Sequence, residues 1–201
     1  AWLADFKPMR FGERLWICPD GQRPEQPDAL IIDLDPGLAF GTGTHPTTAL
    51  CLGELDGMAL DQTSVVDYGC GSGILAVAAL RLGAVRALGV DNDPQALVAT
   101  RDNAGRNGVP AAALEVALPG AFDRDSWSHS ADVVIANILA GPLVELADTL
   151  LGFLKPDGTL LLSGLLATQA GALCEHYAGR ISLTVAGERD GWVCLRGTLT
   201  D

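Results

Sequence analysis

Cations and aromatics are scarce in this chain. Among 201 residues, Lys and Arg number 13 and aromatics make up 5%. Against 25 Asp and Glu, the formal charge is -12, and no basic patch gathers anywhere along the sequence. A phosphate backbone would be repelled, so direct binding to nucleic acid is not expected. Trp2, Trp16, Trp127 and Trp192 do not interleave with basic residues, which excludes a stacking platform for single strands. The histidines His45, His129 and His176 lack metal-ligand spacing, so no metal site is expected. Long apolar runs are also missing. No stretch approaches the ~20 residues of a membrane span, and residues 1–20 have neither the basic flank nor the apolar run of a signal peptide. Cys18, Cys51, Cys70, Cys174 and Cys194 are scattered, with no Cys-x-x-Cys pair for zinc or dithiol chemistry. A reducing cytoplasm fits that pattern best.

What is present is a core. Apolar residues make up 48% and charged residues 19%, enough to bury the interior of one domain without disorder. The acidic surface serves solubility, and it would also draw in a cationic ligand or a lysine-rich protein. Residues 14–18 and 29–34 read as two strands separated by a Pro- and Gly-rich loop. A Gly/Thr-rich run over residues 35–48 leads into Ala49, Leu50, Leu52 and Leu55 at helical spacing, with Thr44 or His45 as cap and Pro46 in the first turn.

From residue 63 strands and helices alternate. Strands are predicted at 64–67, 86–90, 114–116, 131–136 and 159–162, and helices at 74–82, 95–106, 142–154 and 168–177. Two more strands, 181–186 and 192–199, flank the turn Glu188-Arg189-Asp190-Gly191. The predicted fold is α/β and Rossmann-like: seven strands in a mostly parallel sheet ending in an antiparallel hairpin, with helices on both faces. Residues 1–60 are expected to supply strands and the Gly/Thr loop, packed on a catalytic unit of residues 61–201 as effectively one domain.

The chemistry starts at Val65-Val66-Asp67-Tyr68-Gly69-Cys70-Gly71-Ser72-Gly73, where a strand runs through glycines into a helix. Absent Cβ atoms at Gly69, Gly71 and Gly73 let a ligand lie across the strand end. Ile74 stands where a nicotinamide fingerprint needs its third glycine, and there is no P-loop lysine. About 20 residues on, Asp91 sits at the tip of the next strand, where a carboxylate can accept both hydroxyls of a ribose. Asp93-Pro94 reads as a helix cap. A glycine loop plus a strand-end acid, without a phosphate fingerprint, suits a nucleoside that carries no pyrophosphate, such as S-adenosylmethionine. Asn137 closes the apolar run 132–136, which puts a polar amide at the exposed end of a buried strand. Cys70 is assigned to packing, and His45 to a turn or cap.

Asp67 to Gly73 with Gly89-Val90-Asp91 resembles motifs of class I methyltransferases. Together with residues 35–48, the run Ala136-Asn137-Ile138-Leu139-Ala140-Gly141-Pro142-Leu143, Phe11-Gly12-Glu13-Arg14-Leu15-Trp16 and Leu162-Ser163-Gly164-Leu165-Leu166, the chain resembles the PrmA family, methyltransferases of ribosomal protein L11. The likeness covers nearly the whole chain. It implies a monomeric, cytoplasmic, S-adenosylmethionine-dependent protein N-methyltransferase acting on lysine or N-terminal amines of a ribosomal protein. It also implies that the family's small N-terminal recognition domain is missing from this sequence. Thr48, Gly69, Asp91 and Asn137 are then expected to contact the cofactor, with Gly71 beside them and the face of Phe40 toward the sulfonium. Asn137 would orient the incoming amine. The Pro-Pro-Tyr/Phe continuation that sandwiches planar amides is absent after Asn137, which favours a flexible aliphatic amine. Two alternatives remain: a silent binding module on the same fold, and an NAD(P)-dependent oxidoreductase, against which Ile74 and the absence of a Tyr-x-x-x-Lys pair both count.

Overall fold

The computed structural model describes residues 7–19, 21–34 and 45–200. A small three-stranded sheet comes first, with β1 (Met9–Phe11), β2 (Leu15–Pro19) and β3 (Leu30–Leu34) in the order β1-β2-β3. β2 runs antiparallel to β1 and parallel to β3. Only β2 and β3 are legible in the sequence, because Met9-Arg10-Phe11 is too short to show alternation. Asp56 fixes the tight turn between β1 and β2 by accepting the amides of Glu13 at 2.5 Å and Arg14 at 3.2 Å.

The chain then builds α1 (Pro46–Asp56), β4 (Ser64–Tyr68), α2 (Ile74–Arg81), β5 (Arg86–Val90), α3 (Pro94–Arg106), β6 (Leu114–Ala117) and the short α4 (Arg124–Trp127). It continues through β7 (Ala131–Asn137), α5 (Ala140–Glu145), α6 (Ala147–Phe153), β8 (Leu154–Leu166), α7 (Ala167–Tyr177), β9 (Thr184–Arg189) and β10 (Trp192–Thr198). The seven-stranded sheet has the order β6-β5-β4-β7-β8-β10-β9. β6, β5, β4, β7 and β8 are parallel neighbours, and β10 is antiparallel to both β8 and β9, as predicted.

Central strands buried on both faces need continuous apolar sequence, and β4 is buried along its whole length. Its successive side chains divide between two cores. Val65 joins Leu52, Ile74 and Val77 on one face, and Val66 joins Leu143, Leu150 and Tyr177 on the other. Each such Val, Leu or Ile contributes roughly 1.5–3 kcal/mol by leaving water. The β1–β3 sheet adds Leu15, Ile17, Ile32 and Leu34 to the first core, so it packs on the same interior as α1 and α2. In the second core, the buried Tyr177 hydroxyl donates to the Leu143 carbonyl at 2.7 Å and ties α7 to α5.

Three boundaries differ from the sequence reading. The helix predicted over 142–154 is two helices, because Leu146 leaves the helical range at φ -94°, ψ 6°. β8 begins five residues early, and its register with β7 breaks between the pairs Ala131–Leu154 and Val133–Thr159. Lys155-Pro156-Asp157-Gly158 looks like a turn and does bulge there, with Asp157 at φ 62°. The last hairpin closes on two residues rather than four, Asp190 at φ 51° and Gly191 at φ 76°, as a type I′ turn requires. No helix among the described residues is long and apolar enough to cross a membrane.

Candidate active site at the carboxyl edge of the sheet

The strand order reverses between β4 and β7, and open α/β sheets bind ligands in the crevice beyond the carboxyl ends at such a switch point. The predicted site residues Gly69, Gly71, Asp91 and Asn137 all lie at these strand ends. Thr48 joins them from the first turn of α1. Phe40 falls outside the described residues.

The loop after β4 is held by β5. The amides of Gly69 and Cys70 both donate to the Val90 carbonyl, at 2.7 and 3.0 Å. At the tip of β5, Asp91 accepts the Gly71 amide on one oxygen at 2.9 Å and the Asp93 amide on the other at 3.0 Å. Those bonds use two of about four lone-pair positions on the carboxylate, which leaves capacity for two hydroxyl donors. Asp91 is half-buried, so its carboxylate is not sealed from solvent. The residues present therefore fit a ribose. Asp93 caps α3 through the Gln95 amide at 2.9 Å, with Pro94 at the first helical position, as its sequence indicates.

Gly69 has φ 82°, and a Cβ there would overlap Cγ2 of Ile138. The glycine is thus required by the chain itself, and its contact with a ligand is left to its backbone. Ile138 follows Asn137 and also reaches Gly164 of β8, where a Cβ would overlap the Ile138 carbonyl. One residue locks the carboxyl ends of β4, β7 and β8 together.

Thr48 and Asn137, 89 positions apart, meet directly. Nδ2 of Asn137 donates to Oγ1 of Thr48 at 3.2 Å. Thr48 is 3% exposed, and Asn137 is half-buried opposite Ser163 of β8. This bond fixes the carboxamide with its nitrogen turned to α1, so its oxygen is the group left to meet an incoming donor. His45 caps α1, with Nδ1 facing the Thr47 hydroxyl at 2.8 Å and the Thr47 amide at 3.4 Å. The His45 ring meets Trp192 edge-on at 5.0 Å between centroids.

Several polar groups behind the loop were not singled out from sequence. Asp67 is fully buried in β4; its Oδ2 accepts the Ala76 amide in the first turn of α2 at 3.1 Å, and its Oδ1 has no hydrogen-bond partner. Burial pushes its carboxyl up to about 7, the Ala76 hydrogen bond opposes that rise, and the charge of Asp91 adds to it. An acid inside the apolar run Val65-Val66-Asp67 was the available signal. From α3, Thr100 donates to the Gly71 carbonyl at 3.1 Å and Asn103 to the Ser72 carbonyl at 2.9 Å. Thr100, Asn103 and Asn107 share one helical face with Ala96, Ala99 and Ala104, and polar residues on a buried stripe mark such a role. Cys70 is a packing residue, as expected: it is buried beside Thr100, and burial pushes its thiol up to about 12.

This sheet order, with a glycine loop after the first strand of the parallel core and an acid at the tip of the next, is that of the class I methyltransferase fold. A structure with the same fold is an RNA methyltransferase from Salinibacter ruber in complex with S-adenosyl-L-homocysteine, 22% identical, with a TM-score of 0.58 over 75% of this chain and 90% of that one. The family model of ribosomal protein L11 methyltransferase (PrmA) matches residues 1–200, and the chain belongs to that family. Ribosomal protein L11 methyltransferases of Pseudomonas paraeruginosa and Edwardsiella ictaluri are 56% and 57% identical over 98% of this chain. The chain spans 66% of the length of each. The crystal structure of ribosomal protein L11 methylase from Lactobacillus delbrueckii subsp. bulgaricus, 30% identical, superposes with a TM-score of 0.84 and covers 98% of this chain and 100% of that one.

Proposed function

We propose that this chain is the catalytic part of an S-adenosylmethionine-dependent methyltransferase that modifies lysine or N-terminal amines of ribosomal protein L11. The observation that carries the reading is the Gly71–Asp91 clamp at the carboxyl edge of the sheet, the edge at which the Asn137–Thr48 hydrogen bond also lies. The names of its relatives supply the acceptor. The reading takes residues 1–60 and 61–201 as one working unit, cytoplasmic and monomeric, with no nucleic acid as direct acceptor, and the charge of -12 supports a basic protein partner.

When bound, S-adenosylmethionine supplies a methyl group already activated on a sulfonium. The residues contribute position. Asp91 accepts the ribose hydroxyls, and the amides of the glycine loop face the ligand across the strand ends. Thr48, in the first turn of α1, serves two ends: its hydroxyl fixes Asn137, and the helix terminus favours a carboxylate. Oδ1 of Asn137 accepts an N–H of the amine, which aims the nitrogen lone pair at the methyl carbon. A lysine amine has an ordinary pKa of ~10.4, and leaving water for this crevice favours its neutral form. The proton goes to solvent, because the buried Asp67 is closed off behind the loop. Alignment of this kind is the main demand when the leaving group is activated.

Calorimetric titration with S-adenosylhomocysteine, using NADH as control, tests the site. Micromolar binding of the thioether alone is expected, and Asp91→Ala should weaken it about a hundredfold or more, as loss of charge-assisted hydrogen bonds predicts. Binding of NADH instead, or of neither ligand, overturns the reading.

A further inference from the structure

A line of buried amides joins the glycine loop to the small sheet. Asn103 Nδ2 holds the Ser72 carbonyl at 2.9 Å. One helical turn on, Asn107 Nδ2 donates to the Asn103 carbonyl and to the Asp33 carbonyl, each at 2.8 Å. Asn107 Oδ1 accepts the Asp33 amide at 2.8 Å. Asn107 therefore satisfies both backbone groups of one residue on the edge strand β3, as a neighbouring strand would. The Asp33 side chain is gripped from the other direction by the Arg23 guanidinium at 2.6 and 2.9 Å. Asn103 and Asn107 are 2% and 6% exposed, so they make these bonds out of water, where losing them is costly. β3 ends at Leu34, and α1 with Thr48 starts at Pro46. The latch thus spans from the loop that would meet the nucleoside to the strand from which the chain departs toward Thr48.

We propose that Asn103 and Asn107 are positioning residues that couple occupancy of the glycine loop to the order of β3. The coupling rests on the cofactor reading above. A ligand that stills the loop also stills β3 through two carboxamides, and a disturbance of β3 loosens the loop in return, since linkage between sites is reciprocal. The small sheet is then a mechanical input to the cofactor site as well as a cover for α1 and α2.

Amide hydrogen exchange on the whole chain, with and without S-adenosylhomocysteine, tests this. In the wild-type chain the ligand should slow exchange both in the loop around Gly71 and across Leu30–Leu34. In Asn107→Ala the loop should keep its protection while β3 loses it, and affinity should fall about fivefold, the lower end of ordinary coupling. Asn103→Ala, which cuts the latch at the loop end and leaves Asp33 satisfied, gives the same uncoupling if Asn107→Ala does not fold. A wild-type chain that binds the thioether with no protection at β3 overturns the coupling and leaves the cofactor reading standing. Variants with a lowered melting temperature but wild-type protection of β3 overturn it too. Failure of the wild-type chain to bind at all removes both.

Discussion

The two ends of the central strands treat an acid in opposite ways, half-buried at one end and fully buried at the other. At the amino end, Asp132 of β7 accepts the Ser64 amide at 2.8 Å and the Ser64 hydroxyl at 2.9 Å, and pairs with Lys155. Burial alone would push its carboxyl up, but the bonds from Lys155 and Ser64 outweigh that and hold it below the ordinary carboxylate range. At the carboxyl end, three residues along β4 from Ser64, Asp67 has a single bond, one orphan oxygen and a carboxyl raised to about 7. One end is finished as structure. The other keeps a polar group at a cost to stability, and local rules are broken in this way at functional sites.

The largest effect that would sharpen the contrast belongs to Asn137. Asn137→Ala removes the oriented amide oxygen at the upper edge and should lower turnover by about 3–4 kcal/mol of transition-state stabilisation, with thioether affinity changed far less. A fall in affinity with turnover at saturation unchanged would assign Asn137 to ground-state binding. Next comes Asp67→Asn. Because the folded carboxyl is raised to about 7 from an ordinary 3.8, the folded state holds a proton that the unfolded state releases. Stability is then greatest below pH 4 with respect to this group, and falls as pH rises to about 7. The variant should flatten that slope, with a gain at pH 8 of up to about 4 kcal/mol, less the cost of burying an unpaired amide N–H2. Melting curves at several pH values read it directly, and an unchanged slope would break the comparison. The smallest effect is expected at the base. Asp132→Asn should cost about 1–2 kcal/mol of stability near neutral pH and leave thioether affinity untouched. With its folded carboxyl depressed, the contribution of Asp132 is present above pH 4 and lost as pH falls below that, the reverse of Asp67.

Much of this arrangement is legible in the sequence for one physical reason: strands buried on both faces must be apolar throughout. β4, β5 and β7 fall within a residue of where their apolar runs place them. β1 is not legible because three residues hold no period, and the early start of β8 is hidden by a Pro-Asp-Gly sequence that belongs to a bulge. At the site, Asp91 and Asn137 announce themselves by standing at the ends of such runs. The meeting of Thr48 with Asn137 across 89 positions follows only from the packing of α1 against β7 and β8. The carboxamides of α3 escape notice because polar residues at helical spacing ordinarily mark a solvated face, and here tertiary packing turns that face inward.

Ile138 limits how this edge of the molecule can change over generations. Any replacement at Gly69 or Gly164 brings at least a Cβ, and each would run into Ile138. For Gly69 the obstacle is a side-chain methyl, so a change of Ile138 to alanine removes the overlap, but the φ of 82° still strains any residue that carries a Cβ. For Gly164 the obstacle is the Ile138 carbonyl, which every residue carries, so no second substitution relieves it. Paired mutation can relieve the first overlap at the cost of backbone strain, whereas the second yields only to moving a strand.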